Sequence, residues 1–510
     1  VEIFFEDHAM LRTSIFATTT FFGLLMAGTA QAALTADQVW AHWQDVAATA
    51  GLRLAAEETA TEGDALRLSG VTVRPAIPMG ADDPEGKIDE IVLASQSDGS
   101  VSITLSPEFV VPLAQMGGGV TVSHQGLGLT AREMGAAVAY DYAAAGVTAT
   151  VTLEAPTDGD GTGFASKTDF VMTASDPQGT FSDVLDGSRL INFVMNATKL
   201  AYTVSSTNAD ATMTSDQSTS LADVALALSA SVPANARLGD VDSAGEIATL
   251  LNDGLSISID MTQGDTTSTD KTVNPFLNYE MTTTSLPGAA SLILDKSGIA
   301  VKANGKGGSI SGTSDMLPAP IDLQMGPLTM DFLVPLTGVE PQDFRYMVKL
   351  EDLKLNEEAW ALFDPGQTLP RDPAALEIST SGKATLDLLA LAEAQNAGMT
   401  EVVAPSIQAL EISAINLTMA GAAVAGSGAF TFDNSTDTPT PIGNAEVMVT
   451  GANGLIDKLV TLGLLPEDQA MSARMMMGMF LVPGDGDDVL TSTVEAKAGG
   501  SLFVNGMQIQ

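Results

Sequence analysis

Apolar and polar residues alternate with a period of two along most of this chain. Leu255, Ile257, Ile259 and Met261 alternate with Ser256, Ser258 and Asp260; Val101, Ile103 and Leu105 alternate with Ser102 and Thr104; Tyr346, Val348 and Leu350 repeat the pattern. Successive side chains of an extended strand point to opposite faces, so this alternation predicts half-buried antiparallel strands. Turn-forming runs separate them at Asp295 to Gly298, Asn304-Gly305, Gly499-Gly500 and Asn505-Gly506.

A helical period replaces the alternation in a few places. Thr35 with Gln38 three residues on has the spacing of a capping box, and Gly51 supplies a stop. Between them Val39, Trp43, Val46 and Ala50 fall on one face, with Trp40 and Ala47 beside it. This helix is expected to dock on the sheet. His42 is placed on its polar face, as a surface pair with Asp45. Further helices are predicted over 243–252, 356–363 (Asn356 as cap, Pro365 as stop), 386–397, and as a pair near 454–479 broken at Pro466.

The fold class that follows is mainly β with a few helices (α+β). It is a long curved antiparallel sheet or two β-rich halves, with the N-terminal helix docked on the sheet. The halves are expected at 33–320 and 321–510, the second carrying the helical insertions. Phe109-Val110-Val111-Pro112-Leu113 recurs as Phe332-Leu333-Val334-Pro335-Leu336. Two similar β halves would produce that echo, and so would chance in a chain rich in Val and Leu.

The first residues break the strand pattern in another way. Arg12, the apolar stretch Ile15 to Ala27 and the small-x-small site Ala30-Gln31-Ala32 have the layout of a cleavable secretory signal over 10–32. That stretch falls short of the roughly 20 apolar residues that span a bilayer. Residues 1–9 carry acids and no base, the wrong charge for the head of a signal, and read as a start-site extension. The expected destination is the periplasm, with the extracellular space as the alternative.

Composition narrows the function classes. The formal net charge is −41, which repels nucleic acid and anionic lipid headgroups alike. It suits either a cation-binding exterior or a general acidic bias that keeps an exported protein soluble. Cysteine is absent, so the fold must rest on its core, and thiol chemistry is excluded. No later stretch is long and apolar enough to span a membrane without a charge or a Gly/Pro break.

Candidate chemistry is sparse. Beyond the leader the histidines are His42 and His124, and His124 reads as a turn residue at the end of a strand. No serine lies in a Gly-x-Ser-x-Gly elbow, so neither a catalytic triad nor a multi-histidine metal site is indicated. Gly126-Leu127-Gly128-Leu129-Thr130-Ala131 mimics a dinucleotide loop without its strand and helix series, and reads as a hairpin. Asp158, Asp160 and Thr162, with Gly163 and with Asp169 at the twelfth place, match the oxygen spacing of a calcium loop, though the strand-like flanks and the short Asp at the twelfth place favour an acidic hairpin tip. Asp485-Gly486-Asp487-Asp488 is a second acidic turn without that spacing.

The run from Asn356 to Leu376, with Trp360 to Pro373 its most specific part, and the ending Gly499 to Gln510 resemble an uncharacterised family of alphaproteobacterial envelope or secreted proteins, a domain of unknown function. The closing hairpin after a helix pair is similar, more distantly, to AsmA-type periplasmic proteins. That resemblance implies a sheet that holds lipid acyl chains; it is analogy of fold. The expected function is therefore that of an exported, non-enzymatic periplasmic protein without a cofactor, which binds lipid or another apolar ligand, or envelope proteins. The alternative is an extracellular acidic β-rich surface or adhesion protein that binds calcium.

Overall fold

The computed structural model describes residues 33–49, 51–75, 85–113, 118–134, 137–154, 167–208, 212–234, 236, 241, 243–338, 340–396, 406–435 and 438–509. The expected secretory leader and the run carrying Asp158, Asp160 and Thr162 lie outside these residues. The chain is mostly strand, in a large antiparallel sheet with an N-terminal helix, and divides into two compact units, Val1–Asn278 and Tyr279–Gln510.

The first unit opens with helix α1, Ala36–Thr49. Its start is the expected capping box: Thr35 Oγ1 accepts from the Gln38 amide, while Gln38 Oε1 accepts from the Thr35 amide at 2.8 Å. Gly51 ends it with φ near 74°, a left-handed conformation that costs glycine little. The sheet beneath is built on a repeated device. Strands 86–95 and 188–207 each pair with two shorter strands lying end to end, so two rows of hairpins run side by side between them. One row passes through 101–105, 128–134, 137–143 and 178–186, the other through 108–113, 118–125, 146–154 and 167–175. Helix α2, Ala244–Asn252, carries a second capping box, between Ser243 and Glu246.

In the second unit, strand 342–355 joins two such rows and is followed by 374–385, 406–419, 422–433, 440–450 and 489–497, each paired antiparallel with the next. Four helices interrupt the described strands: α3 (Glu357–Trp360), α4 (Leu388–Asn396), α5 (Ala452–Thr461) and α6 (Glu467–Phe480). Pro466 separates the last pair, as the sequence predicts.

Several local expectations change. The predicted helix at 356–363 is helical only over its first turn. Asn356 occupies the cap position but spends its side chain on strand 321–325, accepting from the Asp322 amide at 3.2 Å. Asn304-Gly305 is the end of strand 298–305 instead of a turn; Asp295 and Gly298 close the hairpin before it. The Phe-x-Val-Pro-Leu echo falls on unlike structure: the first copy is strand throughout, and the second ends its strand at Val334.

Candidate functional site

In the first unit the sheet face under α1 is filled. Val101, Ala131, Tyr140, Phe181 and Phe193 stand opposite one another on successive strands, and all are buried. Val39, Trp43 and Ala47 of α1 belong to the same core.

His42 belongs to that buried face as well, which corrects its placement on the polar side of α1. It lies three residues after Val39 and four before Val46, and at 3.6 residues per turn both offsets return to one side of a helix. Its Nδ1 is 3.3 Å from the Tyr140 hydroxyl, and the rings stack with centroids 6.5 Å apart. Burial first, and the Arg189 guanidinium second, push its pKa far below the ordinary value, so it stays neutral. Asp45 turns instead to Arg189 at 3.3 Å.

Arg189 also meets Asp183 at 2.6 Å, and both are buried. Burial raises the pKa of Asp183 while the arginine opposes the rise. This cluster fastens α1 to strands 137–143, 178–186 and 188–207.

The second unit presents the opposite arrangement. Directly opposed residues on antiparallel strands share a face, so the register defines whole rows. Leu328, Leu350, Leu376, Leu417, Val424, Val449 and Leu490 form one row across seven strands. Met330, Val348, Ile378, Ile415, Gly426 and Val447 form the next. None of these residues is fully buried, and Leu417 and Ile415 are exposed. The other face of the same strands carries Thr329, Lys349, Glu377 and Asn416, where Asn416 donates to Glu377 at 3.3 Å. A bulge between Ile412 and Ile415 keeps both isoleucines on the apolar face, although their spacing in sequence would put them on opposite sides. Alternation predicts the strands; the bulge is absent from it.

The segment from Trp360 to Pro373 proves to be a knot held by its own side chains. The Asp364 carboxylate accepts from the amides of Thr368 and Leu369, each at 2.9 Å, and from Arg371 at 2.6 Å. The same guanidinium lies 4.3 Å above the Trp360 ring. Burial opposes ionisation of Asp364, but Arg371 and the two amides outweigh it and hold its pKa down at about 2.

Of the candidate calcium ligands, Asp158, Asp160 and Thr162 lie outside the described residues. Asp169 is on strand 167–175, where its carboxylate accepts from Lys167 at 2.7 Å and from Thr152 at 2.6 Å. Among the described residues no group of three or more His, Asp or Glu is placed to hold a metal ion. In the second acidic turn Asp488 caps α5, accepting from the amides of Asn453 at 3.2 Å and Gly454 at 2.9 Å. His124 accepts from the Leu127 amide at 3.3 Å and so fixes the hairpin at Gly126. No described helix is long and apolar enough to cross a membrane.

Residues 316–504 match a family described as an uncharacterized protein conserved in bacteria (DUF2125). The match falls within the second unit and takes in both the apolar rows and the Asp364 knot. No curated protein matches the chain.

Proposed function

We propose that this is an exported, non-enzymatic protein of the periplasm that holds the acyl chain of a lipid, or a ligand of similar apolar chemistry, on the apolar face of its second unit. The observation that carries this reading is the pair of register-matched apolar rows, which cross seven and six strands without becoming a closed core. Apolar surface of that extent, bordered by polar residues, is characteristic of a surface with a ligand or partner. The signal-like leader supports export.

Each methylene withdrawn from water contributes about 0.8 kcal/mol, which is about four-fold in affinity. An acyl ligand therefore binds more tightly as its chain lengthens. The test is to purify the full chain, extract it and analyse the extract by mass spectrometry, then titrate the stripped protein with fatty acids of increasing length. The expected result is co-purified lipid and affinity that climbs with chain length. V348D with I378D places charge in the middle of the rows and is expected to abolish the binding. An empty extract with no binding at any chain length would overturn the reading, as would full binding by the double variant. Export is tested separately by the N-terminus of protein recovered from the periplasm, which is expected to begin at Ala33.

A further inference from the structure

The geometry points to a second site, unrelated to the sheet: a thioether site for a soft monovalent cation, Cu(I) by its chemistry, on the outer face of α6. Met475, Met476 and Met479 stand at positions i, i+1 and i+4 of this 14-residue helix, and Met471 lies one turn before Met475. All four are between 59 and 67% exposed. Side chains three and four residues apart on a helix are neighbours, about 5–6 Å between Cβ atoms, so three flexible thioethers can converge on one ion.

The helix is fixed with this face outward. Ala470 is buried on the opposite side. Arg474 is bound to Asp457 of α5 at 2.6 Å, and the Phe480 carbonyl accepts from Asn505 at 2.9 Å. Arg474 is thus engaged by a carboxylate and adds little repulsion to a cation nearby. Met479 sits in the last turn, where the helix dipole favours positive charge, and no basic residue occupies that turn.

Donor chemistry selects the ion. Thioether sulfur is a soft donor that suits Cu(I), whereas calcium, magnesium and zinc take oxygen, imidazole or thiolate ligands. An apolar docking surface would be served equally by Leu or Ile, yet the four exposed apolar positions grouped around Ser472 on this face are all methionine.

The experiment uses the full chain with its methionine methyl groups labelled with 13C, titrated with Ag(I) as the air-stable counterpart of Cu(I), and with Cu(I) in the presence of reductant. Resonances are assigned by single Met→Leu variants, which conserve volume. The expected result is one tightly held ion per chain that shifts the methyl signals of Met475, Met476 and Met479. The triple variant M475L/M476L/M479L is expected to bind at least ten-fold more weakly with an unchanged melting temperature. Ag(I) that leaves all three signals in place overturns the proposal without any variant having to fold. So does a triple variant that binds as tightly as the wild type.

Discussion

Two phenylalanines that begin the same five-residue motif have opposite fates. Phe109 is buried in the core of the first unit, whereas Phe332 in the second is only half-buried, against Tyr346 with ring centroids 5.0 Å apart. The strands around them are alike in alternation and in pairing. What differs is the layer above. In the first unit α1 lays Val39 and Trp43 on the sheet, and the row from Val101 to Phe193 is closed. In the second, the described helices leave the rows through Val348 and Leu350 incompletely covered. A β-sheet needs something on its apolar face, and a face left incompletely covered by its own chain is available to a ligand.

That contrast predicts its largest effect in paired truncations. Phe181→Ala removes a side chain that is 1% exposed and is expected to cost about 3–5 kcal/mol. Phe332→Ala, whose ring is only partly buried, is expected to cost less. Urea denaturation of the full chain, followed by probes in each unit, reads both values. Equal costs would mean that the second unit is as tightly packed as the first, and the contrast would fail.

A second comparison sharpens the role of α1. Arg189→Ala leaves the buried Asp183 without its cation, and breaking such a pair costs about 3–5 kcal/mol. Replacing both partners, as in D183L with R189M, is expected to recover most of that loss, because neither charge is then buried unpaired. Thermal melting of the single and double variants decides the point. If the double variant is no better than the single one, the pair holds α1 by shape and not by charge.

The sequence carries much of this fold and little of the contrast. Period-two runs such as Leu255 to Met261 and the helix starts at Thr35 and Ser243 act through neighbours in the chain, and local rules find them. His42 could have been found too: its offsets to Val39 and Val46 place it on the apolar face, and its polarity alone argued otherwise. Asn356 could not, because its side chain is used by a strand more than thirty residues earlier. The same holds for the bulge at Ile412 to Ile415 and for the incompletely covered rows. Val101 and Leu350 alternate with polar neighbours in the same way, and nothing local says that only the first is fully buried. The exposed methionines of α6 were visible as letters, but their exposure depends on which face Ala470 takes into the fold.

The smallest predicted effect concerns acid. Asp364 titrates at about 2 in the folded chain, against 3.8 for an ordinary aspartate, because Arg371 and two amides favour its charged form. A carboxyl whose folded pKa is depressed stabilises the fold above its unfolded value, and that contribution disappears as pH falls through the folded value. The knot therefore contributes fully at neutral pH, weakens below about pH 4 and contributes nothing once Asp364 is protonated below about pH 2. Asp364→Asn keeps the shape and removes the charge. The stability gap between wild type and variant, measured by urea at pH 7 and again near pH 2, is expected to narrow sharply at the lower pH. His42 is held neutral by burial while the unfolded chain protonates it below its ordinary value of 6.5, so it too weakens the fold in acid, but that contribution is common to wild type and variant and cancels in the gap. An unchanged gap would assign the knot's stability to the Trp360 stack and the packing of Leu369, with the carboxylate as a bystander.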